Sequence, residues 1–301
     1  MIFVFLCRVY FCRGFILYAL QNILYLLCFI TIQYDMKNLL SQFIILLLAI
    51  LTSSPSALAR ERYEKGIFVS KTTGDTLLYR YLTPDNPQKG KKYPIIIFLH
   101  GSGERGNDNE SQLFHGSGQF LNPVNREKFP AFVLFPQCPS GQDGVFAKTL
   151  DSERPYGMPE NPPLSNMMQS LKELVEYYSS LPDADPKRVY IMGISMGGIG
   201  TFEMVARYPE MFAAAIPICG SVNPKRLKQS KDGIKKVKFR IFHGDADQAV
   251  DVSGSREAYK ALKEIGADVE YIEFPGCTHN SWNPAFNYPD FMKWIFKQKK
   301  R

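Results

Sequence analysis

The sequence predicts a doubly wound α/β fold, a mostly parallel sheet with helices on both faces. Two observations predict it. Six apolar runs lack the in–out alternation of a half-exposed strand, and segments of helical periodicity lie between them. Runs that are apolar at every position fit strands buried on both faces, as in a parallel sheet covered by helices. Strand–helix alternation then fits the doubly wound arrangement. Ligands of such sheets sit beyond the carboxyl ends of the strands, so functional residues are expected just after the runs.

The first 59 residues differ from the rest. Residues 36–59, "MKNLLSQFIILLLAILTSSPSALA", open with one lysine, run through an apolar core and end in Ala57-Leu58-Ala59. That is the layout of a signal peptide with an A-x-A site, predicting export and a mature start at Arg60. Residues 1–35 are aromatic-rich and nearly free of acids. They read as an extension from a start placed too far upstream, because the signal peptide is complete from Met36. The alternative is a membrane anchor over about residues 14–32.

Residues 60–301 show no repeat, linker or change of composition and read as one catalytic domain. "GIFVSKTTGDTLLYRYLTP" alternates as a hairpin with its turn at Thr73-Gly74-Asp75. The buried strands are expected at 93–100, 131–137, 188–195, 213–220, 239–245 and 269–276. Between them, "SNMMQSLKELVEYYSSL" places Met168, Leu171, Leu174, Val175 and Tyr178 on one helical face. "GIGTFEMVARYP" and "SREAYKALKEIG" also read as helices, the second closing on Gly266.

The whole sequence has 301 residues, 45% of them apolar, and a net charge of +7. Without Arg8, Arg13, Lys37 and Asp35 of the first 59 residues, 33 basic face 28 acidic residues. The basic residues are scattered apart from the closing "KQKKR", so no nucleic-acid partner is expected. Oligomeric state is left open. Cys138, Cys219 and Cys277 have no metal-ligand spacing and are expected as buried free thiols, although export leaves a pairing open.

Gly193-Ile-Ser195-Met-Gly197 is a G-x-S-x-G that ends an apolar run and opens a helix, the setting of a nucleophile elbow. Ser195 is the expected nucleophile, and the amide of Met196, the next residue, one oxyanion donor. A serine hydroxyl needs a base, and the base an orienting acid, in the chain order Ser, Asp/Glu, His. His279 in "FPGCTHNSW" is the histidine after the late strand and is the expected base. "HGDAD" offers two acids after its strand. Asp245, next to the strand-ending glycine, is expected to cap its turn. Asp247, further into the loop, is the expected acid. His100 and His243, each before a strand-end glycine, read as structural.

Gly101, Gly103 and Gly106 of "HGSGERGNDN" spell the G-x-G-x-x-G of a dinucleotide turn. That turn needs a helix opening within the glycines and an acid at the end of the next strand. No helix opens at Gly106, and Glu127 precedes the next strand rather than ending it. A dinucleotide is therefore not expected.

"FLHGSGERGNDN", "FPQCP", "GISMGG", "YPEMFAAAIPICG", "HGDADQAV" and "PGCTHNSW" span roughly residues 93–283. Together they resemble α/β-hydrolase serine esterases of the phospholipase/carboxylesterase and polyhydroxybutyrate-depolymerase/feruloyl-esterase-like group. The resemblance implies the α/β-hydrolase fold and puts the triad on Ser195, Asp247 and His279. It puts the second oxyanion amide on Ser102. No cofactor or metal is implied. The substrate it implies is a small-molecule or polysaccharide ester, with acetyl or feruloyl groups on plant polysaccharide leading. A peptidase like prolyl oligopeptidase, or a non-catalytic binding protein on this fold, is the alternative. The tryptophan that the group carries after its Pro-Gln-Cys-Pro turn is missing here. The 140–164 loop stands in that region and reads equally as a lid or as plain surface. Trp282 is a candidate stacking platform for substrate, or a packing residue of the last helix.

Overall fold

The structure, a computed structural model, describes residues 62–140 and 159–300. The expected leader and residues 141–158 of the 140–164 loop lie outside the described residues. Eight strands form one sheet: β1 (Glu64–Val69), β2 (Thr76–Leu82), β3 (Tyr93–Leu99), β4 (Phe132–Pro136), β5 (Ala184–Ile194), β6 (Ala214–Ile218), β7 (Lys238–Gly244) and β8 (Asp268–Phe274). Their order is β1-β2-β4-β3-β5-β6-β7-β8. β1, β2 and β4 pair antiparallel, and every pairing from β4 to β8 is parallel. The doubly wound expectation is met, with the β1–β2 hairpin at one edge turning through Gly74 at φ 76°.

The helices are α1 (Ser117–Leu121), α2 (Pro123–Lys128), α3 (Asn166–Ser179), α4 (Met196–Arg207), α5 (Pro224–Gln229), α6 (Lys231–Ile234), α7 (Ser253–Glu264), α8 (Trp282–Phe286) and α9 (Phe291–Phe296). Single 3₁₀ turns at Ser102–Glu104 and Ser111–Leu113 precede α1. α3 starts where Ser165 Oγ accepts from the Met168 amide, and its five expected apolar residues are all buried. α7 ends with Gly266 at φ 77°.

β3 shows how the sheet is held. All seven residues of "YPIIIFL" are buried. Ile95, Ile97 and Leu99 join a core with Met168, Leu171 and Leu174 of α3. Ile96 and Phe98 enter a second core with Phe120, Phe135 and Ile295. Two apolar layers therefore clamp one strand, each fully buried Ile or Leu contributing about 1.5–3 kcal/mol.

Three details differ from the sequence reading. β8 is an edge strand, mostly half-exposed, with Glu270 and Glu273 pairing with Arg240 and Arg256 rather than buried on both faces. β5 begins at Ala184, ahead of the expected 188. α1 and α2 lie in a stretch to which the sequence reading gave no element; Asn122 caps α2 by accepting from the Val124 and Asn125 amides, with Pro123 at its first position.

Candidate active site

The carboxyl ends of β3, β5, β6, β7 and β8 bring the expected residues together. The glycines of the elbow after β5 are dictated by space. A Cβ on Gly193 would run into the Gly197 carbonyl, and one on Gly197 into the Leu99 carbonyl oxygen. Only hydrogen fits at either place, so β5 can turn straight into α4 against the end of β3. The turn forces Ser195 to φ 54° and ψ −118°, a strained backbone for a non-glycine residue. Its amide donates to the Ile218 carbonyl at 3.0 Å and lies 3.3 Å from the Cys219 sulfur.

His279 Nε2 lies 2.9 Å from Ser195 Oγ, and His279 Nδ1 lies 2.8 Å from Asp247 Oδ2. Asp247 is buried, and its Oδ1 accepts from the amides of Ala249 at 2.8 Å and Val250 at 3.0 Å. Burial works to raise the Asp247 carboxyl. The hydrogen bonds from His279 and the two amides outweigh it and hold the group below the usual carboxylate range. Asp245 is placed elsewhere: its Oδ1 accepts from the Gly276 amide at 2.6 Å, tying the β7 loop to the β8 loop.

Met196 is the first residue of α4, so its amide has no partner within the helix. Ser102 opens the 3₁₀ turn after β3, the strand that pairs with β5 up to Leu99 and Gly193. His100 fixes that turn. Its Nδ1 donates to the Gly101 carbonyl at 2.6 Å, and its Nε2 accepts from the Cys138 amide at 2.9 Å. Burial pushes its pKa down to about 4, so the ring is neutral at neutral pH. The structural role expected of His100 holds.

The rest of the G-x-G-x-x-G loop is bound to the end of β4, not to a helix start. Gln137 Oε1 accepts from the Asn109 amide at 2.8 Å, and the Gly106 amide donates to the Cys138 carbonyl at 2.9 Å. Asp108 accepts from the amides of Glu110 at 2.9 Å and Ser111 at 3.1 Å.

His243, read as structural, is hydrogen-bonded at both ring nitrogens, and one of its partners is the proposed acid. It is fully buried, and its Nε2 lies 3.2 Å from Asp247 Oδ2 and 3.0 Å from the Val250 carbonyl. The spacing "HGDAD" contained the pair, but nothing in it says that the ring faces the carboxylate. Cysteines depart in one case. Cys138 and Cys219 are buried free thiols, whereas Cys277 is half-buried.

Trp282 opens α8 with its ring edge-on to His279, centroids 5.4 Å apart at 85°. It also meets His115 at 5.0 Å, and Phe114 beside His115 is 64% exposed. These two rings were not singled out from the sequence. A groove of about 570 Å³ lined by Arg62, Asp85, Lys91, Tyr93 and Arg126 opens at the amino end of β3, opposite Ser195. Ligand atoms of Cys219, Asp247 and His279 lie within 4.8 Å of one another. Burial pushes the Cys219 thiol up to about 12, leaving it protonated and a poor metal ligand. We assign no metal to the group.

A serine on a strand–turn–helix elbow at the carboxyl edge of this sheet defines an α/β-hydrolase. The phospholipase/carboxylesterase family model matches residues 86–288, and the chain belongs to that family. Carboxylesterase SOBER1 of Arabidopsis thaliana is 26% identical over 217 residues, 68% of this chain and 91% of that protein. Poly(3-hydroxyalkanoate) depolymerase C of Paucimonas lemoignei is 27% identical over 147 residues, 49% of this chain and 32% of that one. A solved thermostable esterase superposes with TM-score 0.69 at 32% identity, covering 81% of this chain and 64% of the other. The chain is accordingly a carboxylic ester hydrolase.

Proposed function

We propose that this is an exported serine esterase using Ser195, His279 and Asp247 as its triad. The observation that carries the reading is the unbroken chain Ser195 Oγ–His279–Asp247 at 2.9 and 2.8 Å. His279 Nε2 takes the Ser195 proton as Oγ bonds to the ester carbonyl carbon. Asp247 keeps Nδ1 protonated and balances the imidazolium. The amides of Met196 and Ser102 receive the oxyanion. His279 then returns the proton to the departing alkoxide, and water, activated the same way, releases the acid and restores Ser195. Export rests on the signal peptide at residues 36–59, with cleavage before Arg60.

The acyl group proposed is acetyl or feruloyl on plant polysaccharide, with Trp282, beside His279, stacking on a ring of the substrate. A peptidase reading has less support, since the family model that matches residues 86–288 is that of phospholipases and carboxylesterases. A binding protein would not need three groups in hydrogen-bond contact. The test is a panel of acetylated xylan, methyl ferulate and short p-nitrophenyl esters. Turnover of either plant-type ester well above the generic esters supports the assignment, and turnover of generic esters alone overturns it. Amino-terminal sequencing of the exported protein is expected to read from Arg60.

A further inference from the structure

The carboxylate of Asp247 receives two imidazoles, not one. Oδ1 is occupied by the amides of Ala249 and Val250. Oδ2 faces His279 Nδ1 at 2.8 Å and His243 Nε2 at 3.2 Å. A carboxylate has about four lone-pair sites, so every site of this one is used.

The hydrogen on His243 can be placed from its partners. Nε2 faces Asp247 Oδ2 and the Val250 carbonyl, neither of which can donate. Nε2 must therefore carry the hydrogen. Nδ1 lies 2.7 Å from Ser255 Oγ, a hydroxyl that can donate to it. Ser255, in the first turn of α7, has one hydroxyl hydrogen for Nδ1 and for the Gly220 carbonyl 3.1 Å away, so it anchors the Nδ1 edge of the ring while the two acceptors at Nε2 set the tautomer. Burial keeps the ring below the usual imidazole range and hence neutral at neutral pH. The titratable groups around it are Asp247 and His279, Asp251 on its own loop and Glu273 on β8. Cys219 and Cys277 face the Asp247 side.

We propose that His243 is a positioning residue for the triad acid, holding Asp247 Oδ2 in line with His279 through the Nε2–H of a neutral ring that Ser255 anchors at Nδ1. It transfers no proton and keeps its Nε2–H through the cycle. A neutral donor orients the carboxylate without cancelling the charge that His279 needs once it becomes an imidazolium. The inference rests on the triad proposed above.

The test compares His243→Leu, His243→Gln and Ser255→Ala in the exported enzyme, with thermal midpoints and the pH profile of kcat/KM. Leucine removes the donor and is expected to lower kcat about 10- to 100-fold with little change in KM. It should also move the acid limb upward, because a carboxylate relieved of one donor binds the imidazolium more tightly. Glutamine places an N–H near the Nε2 position and is expected to restore most of kcat and the wild-type limb. Ser255→Ala removes the anchor at Nδ1, lets the ring tilt away from Asp247 and is expected to cost a few-fold in kcat. Wild-type kcat and limb in the leucine variant overturn the proposal. So does equal loss in the leucine and glutamine variants, which is a packing effect. If the leucine variant does not fold, near-wild-type glutamine with a slowed Ser255→Ala supports it, and any other pattern overturns it. Ser195→Ala run alongside separates the two readings: undiminished turnover there removes the triad itself. Loss there with an unaffected leucine variant removes only the role of His243.

Discussion

Replacing Asp247 by Asn tests the orientation of the base with almost no change of shape. Oδ1 accepts from two backbone amides, at 2.8 and 3.0 Å, so the amide oxygen of the asparagine must sit there. The NH₂ group is then forced into the Oδ2 position, where His279 Nδ1 waits at 2.8 Å. Two donors cannot face each other, and the imidazole must move its hydrogen from Nδ1 to Nε2. That hydrogen points at Ser195 Oγ, 2.9 Å away, and the ring can no longer accept the serine proton. A wrong tautomer at such a base lowers kcat by about 10⁴-fold, equivalent to about 5.5 kcal/mol of barrier. The assay is kcat on p-nitrophenyl acetate from pH 6 to 9, with circular dichroism confirming the fold. A variant folded and within tenfold of wild type would refute the reasoning and move the acid elsewhere.

Other outcomes follow from the same geometry. Gly197→Ala puts a methyl group into the backbone carbonyls of Leu99 and His100, which cannot step aside. It should lower stability by about 3 kcal/mol or more in urea titration. His100 has its pKa lowered to about 4 from 6.5. A depressed base stabilises the fold above its unfolded pKa and loses that contribution as pH falls through 6.5 toward 4. The loss reaches about 3 kcal/mol, and His100→Gln should flatten urea midpoints over that window; a wild-type slope that is already flat contradicts it. Of the three cysteines after residue 60, only half-buried Cys277 should react quickly with a thiol reagent, Cys138 and Cys219 reacting after denaturation. Rapid labelling of a second thiol in the native state contradicts the buried placement.

The proposed triad of Ser195, Asp247 and His279 could be picked from the sequence because chain order and strand ends restrict where an elbow, an acid and a base can lie. Asp245 was set aside as a cap of its own turn; its Oδ1 instead takes the Gly276 amide of the loop after β8, which still keeps it from the base. The contact of His243 with Asp247 was not legible. A strand-end histidine four residues before the acid can turn toward the core or toward the carboxylate, and only the fold of the 245–250 loop decides. α1 and α2, of five and six residues, are too short to show a period, although Asn122-Pro123 is a cap followed by a first-turn proline. The edge position of β8 was signalled by Glu270 and Glu273 on an apolar strand, because buried carboxylates need partners that only an edge leaves room for.

The central claim is that Ser195 is the nucleophile that His279 activates. Its most direct measurement is labelling with a fluorophosphonate, followed by peptide mass spectrometry and residual esterase activity. One adduct per chain on Ser195, with activity falling in step and no labelling of His279→Ala, is the predicted result. Full labelling with activity retained, or an adduct mapped to any other residue, would contradict it.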